Sequence, residues 1–100
     1  MQLIKGKKWG RNMNQYFIKD MNISENIVKI RKKSKMTQNY VAIQLQTMGI
    51  NISRSRLSMI ELNRLNVPVS MLVALKIIFK CNYSDFFTGL EDKLTNDTEG

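Results

Sequence analysis

The side chains best equipped for chemistry lie together between Ser53 and Met59, in the run Ser-Arg-Ser-Arg-Leu-Ser-Met. No catalytic set accompanies them. The chain has no histidine and one cysteine, Cys81, which removes a Cys/His zinc site, a disulfide framework and any Ser-His or Cys-His nucleophilic pair. What remains is recognition chemistry, with no cofactor implied. An Arg guanidinium can bond guanine bidentately or reach phosphate, a Ser hydroxyl can donate or accept, and Met can lie against a thymine methyl. Arg54, Ser55, Arg56, Ser58 and Met59 are therefore candidates for contact with base edges. The plainer alternative for Arg54 and Arg56 is a pair of solvated charges on a helix surface.

The net charge of +8 is unevenly spread. Residues 1–20 hold five Lys/Arg against one acid, 21–60 hold seven against one, and 61–100 hold four against six. A basic first half with an acidic end suits a chain that faces a polyanion with one part and keeps the other away from it. Nucleic acid and an anionic membrane surface both meet that description. The longest apolar stretch, Met71 to Phe79, is interrupted by Lys76 and is about half what a bilayer crossing needs. Met1 to Asp20 has no apolar region of signal-peptide length, so the expected setting is cytoplasmic and reduced.

Positioning such a cluster requires helices, and the period of the chain supplies them. With 43% apolar residues, 100 residues are enough for one domain with a real core. Residues 1–22 show no helical or strand period and read as a basic extension, either a mobile arm or a disordered leader. Ser24 is a candidate cap for a first helix over about 25–34, with Ile27 and Ile30 on its inner face. Thr37 caps a second, with Val41, Ala42 and Leu45 inward until Gly49 stops it. Ser53 caps a third, with Leu57 and Ile60 inward, and Asn63 can take the positive φ of its stop. Pro68 breaks the linker before a fourth helix, Met71 to Phe79, whose inner face is read as Leu72, Leu75 and Phe79. Asn82 caps a short fifth containing Tyr83, Phe86 and Phe87. The expected class is all-α, a compact five-helix domain over 23–90, followed by an acidic polar tail over 91–100.

The order of these elements resembles the Cro/repressor-type helix-turn-helix domains, the XRE family. The segments that carry the resemblance are IRKKSKMTQ, VAIQL, ISRSRLSMIE and ALKIIFKCNYSDFF, within Ser24 to Thr88. It implies a lambda-repressor-like fold, sequence-specific binding of double-stranded DNA, and a role as a small transcriptional regulator, most simply a repressor. The helix beginning near Arg54 would then enter the major groove and present Arg54, Ser55, Arg56, Ser58 and Met59 to base edges. Thr37, Gln38, Ser53, Asn63, Arg64 and Asn66 match positions that meet the phosphate backbone. Arg31 and Glu61 correspond to an ion pair between helix one and the end of helix three, a structural assignment.

Three features depart from the family pattern. The segment QTMGINIS lengthens the turn between helices two and three, with helix two expected to run an extra turn. Leu62-Asn63 stands where Asn-Gly is usual, and Lys76 replaces a small apolar residue, its stem expected to reach outward. Cys81 is read as small core filler. Val73, Ile77, Phe87 and Leu90 exceed what one core face needs, which predicts a homodimer on a two-fold site. Packing against Trp9, Tyr16 or Phe17 is the intramolecular alternative for them. A protein-interaction module, such as an antitoxin or anti-regulator with secondary DNA binding, is the second functional class. No membrane partner is expected.

Overall fold

The computed structural model describes residues 22–93. Two compact units divide the chain, Ile23–Thr88 and a second formed by Met1–Asn22 with Gly89–Gly100. In the second unit residues 90–93 are helical. The roles expected for Trp9, Tyr16, Phe17 and the remainder of the extension, and for the tail beyond 93, lie outside the described residues. Within Ile23–Thr88 there are four α-helices and one 3-10 helix, with no strand among the described residues. They are α1 (Ser24–Lys33), α2 (Gln38–Thr47), α3 (Arg54–Glu61), α4 (Val69–Phe79) and the 3-10 helix Tyr83–Phe87. No helix among the described residues is long and apolar enough to cross a membrane.

Local chemistry explains where the helices start. Thr37 Oγ1 accepts from the Tyr40 amide at 3.0 Å and Ser53 Oγ from the Arg56 amide at 3.1 Å, so α2 and α3 each open on the expected cap. Asn82 and Asp85 form a reciprocal capping box at the 3-10 helix. Pro68, fixed at φ −65°, leads into α4, which begins at Val69, two residues before the expected start. Ser24 corrects the expectation for α1. It is the first helical residue, Ile23 being the N-cap, and its hydroxyl donates to the Ile60 carbonyl of α3 at 2.8 Å. That bond to a helix 36 residues away displaces the local cap that a Ser at this position ordinarily makes.

All four α-helices stop in the same way. The residue after the last helical turn takes positive φ, at Lys35 (59°), Gly49 (89°), Asn63 (61°) and Lys80 (55°). Its amide and the next bond back into the last turn, as Gly49 N to Gln46 O and Ile50 N to Leu45 O do in α2. The same pair of bonds closes α1, α3 and α4. Glycine accepts such a φ freely and asparagine tolerates it, whereas a lysine there is strained.

The core brings the inner faces together. Ile27, Val41, Ala42, Leu45, Leu57, Ile60, Leu75, Phe79 and Phe86 are buried as their spacing predicts for most of them, and Ile52, Met71 and Ala74 join them. α4 turns differently from expectation. Met71 and Ala74 are buried with Leu75 and Phe79, and Leu72 is only partly buried. α1 packs on α3 and on the 3-10 helix, and α2 packs on both α3 and α4. Asn26 fastens α1 to the 3-10 helix, its side-chain amide donating to the carbonyls of Phe86 at 2.8 Å and Thr88 at 3.1 Å.

The segment between α2 and α3 is pinned at Ile52. Gln46 and Thr47 of the long QTMGINIS stretch belong to α2, leaving 48–53 outside the helices. Gln46 Nε2 donates to the Ile52 carbonyl at 2.6 Å while the Ile52 side chain is buried. α3 is thereby set against α2 by buried apolar atoms at both of its ends, Ile52 and Ile60.

Candidate nucleic-acid interface

α3 divides cleanly into a held face and a free one. Leu57 and Ile60 are buried, Glu61 is turned inward, and Arg54, Ser55, Arg56 and Met59 are exposed. Ser58 is half-buried at the boundary. Every residue assigned to phosphate from the sequence is also exposed except Gln38, which is half-buried. Thr37 and Ser53 spend one lone pair each on their caps. Asn63 holds the positive φ that turns the chain out of α3, and Arg64 follows it with its amide bonded to the Met59 carbonyl at 2.8 Å.

Arg31 and Glu61 form the expected pair, and the geometry is bidentate. Arg31 Nε donates to Glu61 Oε2 at 2.7 Å and Nη2 to Oε1 at 3.0 Å, with side-chain exposures of 11% and 5%. Arg31 Nη1 also donates to the Met36 carbonyl at 2.9 Å, so one guanidinium joins α1, the α1–α2 corner and α3. Two donors meet two carboxylate oxygens in a planar fork while the third donor serves Met36, an arrangement a lysine could not reproduce.

The pair extends outward through Gln38. Gln38 Nε2 donates to Glu61 Oε1 at 2.9 Å, and Gln38 Oε1 accepts from Arg54 Nη1 at 3.3 Å. The carboxylate decides which way the amide faces, since an oxygen turned toward Glu61 would meet like charge. Gln38 is the first residue of α2 and Arg54 the first of α3. Their bond therefore links the amino ends of the two helices. Sequence spacing did not disclose this link.

The electrostatics at that corner run against helix stability. Neither α2 nor α3 has an acid in its first turn, where the macrodipole favours one, and α3 carries Arg54 and Arg56 there instead. α1 is ordinary by contrast, with Glu25 first and Arg31, Lys32 and Lys33 last. Ile23–Thr88 holds ten Lys/Arg and three Asp/Glu, and one of those acids, Glu61, is consumed by Arg31. The exposed surface around the two amino ends is thus cationic, with free amides pointing outward.

No family model, curated protein or solved structure matches this chain.

Other candidate chemistry is sparse. Among the described residues no cluster of three or more His, Cys, Asp or Glu could hold a metal. Cys81 packs at the margin of the core, as expected for a filler. Burial and then the Asp85 carboxylate push its thiol above the ordinary value, the opposite of what an activated cysteine needs. Lys76 is half-buried and sets its ammonium over the Tyr83 ring, 5.4 Å from the centroid. Val73 and Ile77 remain exposed on α4 and line a groove with Met48, Gly49, Ile50 and Asn51. Phe87 is exposed as well, whereas Leu90 belongs to the second unit.

Proposed function

We propose that this protein is a sequence-specific, double-stranded-DNA-binding repressor of transcription, built on a lambda-repressor-like helix-turn-helix. One observation carries the reading: α3 opens on Arg54 and Arg56 with no acid in its first turn, and Arg54 bonds Gln38 at the acid-free amino end of α2. Cations in the first turn of a helix oppose its macrodipole, so this arrangement gains sense when a polyanion approaches. α3 would lie in the major groove with Arg54, Ser55, Arg56, Ser58 and Met59 toward the bases. Thr37, Gln38, Ser53, Asn63, Arg64 and Asn66 would meet the flanking phosphates. A domain of this kind acts most simply by occupying a promoter in the cytoplasm.

The uncovered apolar residues Val73 and Ile77 support a homodimer on two half-sites about one helical turn apart. Sedimentation should give twice the chain mass, on DNA if not before. A monomer in both conditions removes the dimer. A stable complex with a different protein at α4 would favour an antitoxin or anti-regulator role instead.

The deciding experiment selects bound sequences from random duplex DNA and then tests single alanine variants. Arg54→Ala, Ser55→Ala and Arg56→Ala should each cost about 1 to 3 kcal/mol on the selected site where a base contact is lost, and relax preference at one or two base pairs. Random duplex should be bound nearly as before. If all three variants keep the parent's site preference, or if the parent binds no duplex at low salt, the reading fails.

A further inference from the structure

Viewed down its axis, α3 has a third feature besides its buried side and its arginines. At 100° per residue, Ser55 and Met59 of α3 and Leu62, the cap residue just after its end, fall within roughly 60° of one another, directly opposite the buried Leu57 and Ile60. Arg54 and Arg56 lie about 100° to either side of that stripe. Met59 is 40% and Leu62 60% exposed, although a polar residue would serve solubility better at both places. Single exposed apolar residues are common and mean little alone. Here two of them occupy the middle of the free face, adjoin one small hydroxyl and are flanked by cations.

We infer that the outer stripe of α3 selects thymine, Met59 and Leu62 lying against the 5-methyl groups that thymine alone presents in the major groove. The inference rests on the duplex-DNA reading and deepens it. Flanking arginines fit the anionic walls or guanine edges beside the stripe, which makes DNA the occupant that satisfies both the charged margins and the apolar centre. The thymine methyl is the one apolar group exposed on a major-groove base edge. Ser55, earliest on the stripe, leaves room for the helix to approach closely. The held face keeps this register. Ser24 bonds the Ile60 carbonyl, Arg31 holds Glu61, and the Arg64 amide bonds the carbonyl of Met59 itself.

The test uses the full chain, its selected operator, and copies of that operator in which single thymines are replaced by deoxyuridine, which removes only the methyl. Anisotropy titrations should show about a fourfold loss for each contacted methyl, the value of one buried CH₂ group. Met59→Ala and Leu62→Ala should each abolish the thymine-over-uracil difference at one position, with melting curves unchanged because both side chains are exposed. Three results overturn the inference: a footprint without thymine, equal binding of thymine and uracil at every position, or a uracil penalty that persists in both variants. The last would trace the penalty to duplex shape. In each of these the parent still prefers its operator, so duplex reading survives. A parent that binds no duplex sinks both proposals.

Discussion

Replacing Glu61 by alanine removes an acceptor for three side-chain donors at once: Arg31 Nε, Arg31 Nη2 and Gln38 Nε2. Arg31 is 11% exposed at its side chain, so its charge cannot simply turn to water. Stranding one partner of a pair this buried costs about 3 to 5 kcal/mol. At about 0.05 to 0.15 kcal/mol per residue, a unit the size of Ile23–Thr88 has roughly 3 to 10 kcal/mol in all. Glu61→Ala should therefore be mostly unfolded, or melt about 15 °C or more below the parent. Circular dichroism during a thermal ramp and a urea titration measure this. The double replacement Arg31→Met with Glu61→Leu separates charge from packing, because removing both ions together should destabilise less than Glu61→Ala alone. Two results would refute the reasoning: a Glu61→Ala melt that overlays the parent's, or a double variant less stable than the single. In the first case the pair is solvated in solution. In the second, the side chains hold the corner by shape rather than by charge.

Four further outcomes are expected. Arg64→Ala should weaken selected and random duplexes alike and lower the salt slope by about one unit, and an altered site preference would make it a reader instead. Asn26→Ala, which leaves the carbonyls of Phe86 and Thr88 without their donor, should cost about 1 to 3 kcal/mol in a urea melt; an unchanged midpoint would contradict the buried bonds. Lys80→Gly should stabilise by about 1 kcal/mol by relieving the positive φ at the end of α4, and a loss of stability would show that the lysine makes a compensating contact. Cys81 should alkylate more slowly than a free thiol at pH 8, since its raised value leaves less thiolate there, and Asp85→Asn should quicken it; a parent as fast as free cysteine would overturn this.

The local rules of the chain were legible without coordinates. Thr37, Ser53 and Asn82 cap because a short side chain needs only the amide three residues on, and Gly49 and Asn63 stop helices because few residues accept positive φ. The stripes Val41-Ala42-Leu45 and Leu57-Ile60 were equally plain, since burial follows the helical period. The Arg31–Glu61 pair came through the family resemblance, not from spacing, as the two residues stand 30 apart.

What the tertiary structure decided is what long-range partners decide. Ser24 has the composition of a cap and serves instead as a donor to Ile60. Asn26, to which the sequence assigned no role, closes α1 onto the 3-10 helix 60 residues away. α4 was apolar nearly all round, so its period could not choose between Leu72 and Met71 as the inner residue. Packing into the common core chose, because a helix rich in apolar side chains turns whichever face packs best. Lys35 and Lys80 gave no sign of positive φ, as the strain is imposed by the bonds that close the helix ends and not by lysine. The contact between Gln38 and Arg54 depends on two helix starts meeting in space, and sequence separation carries no information about that meeting.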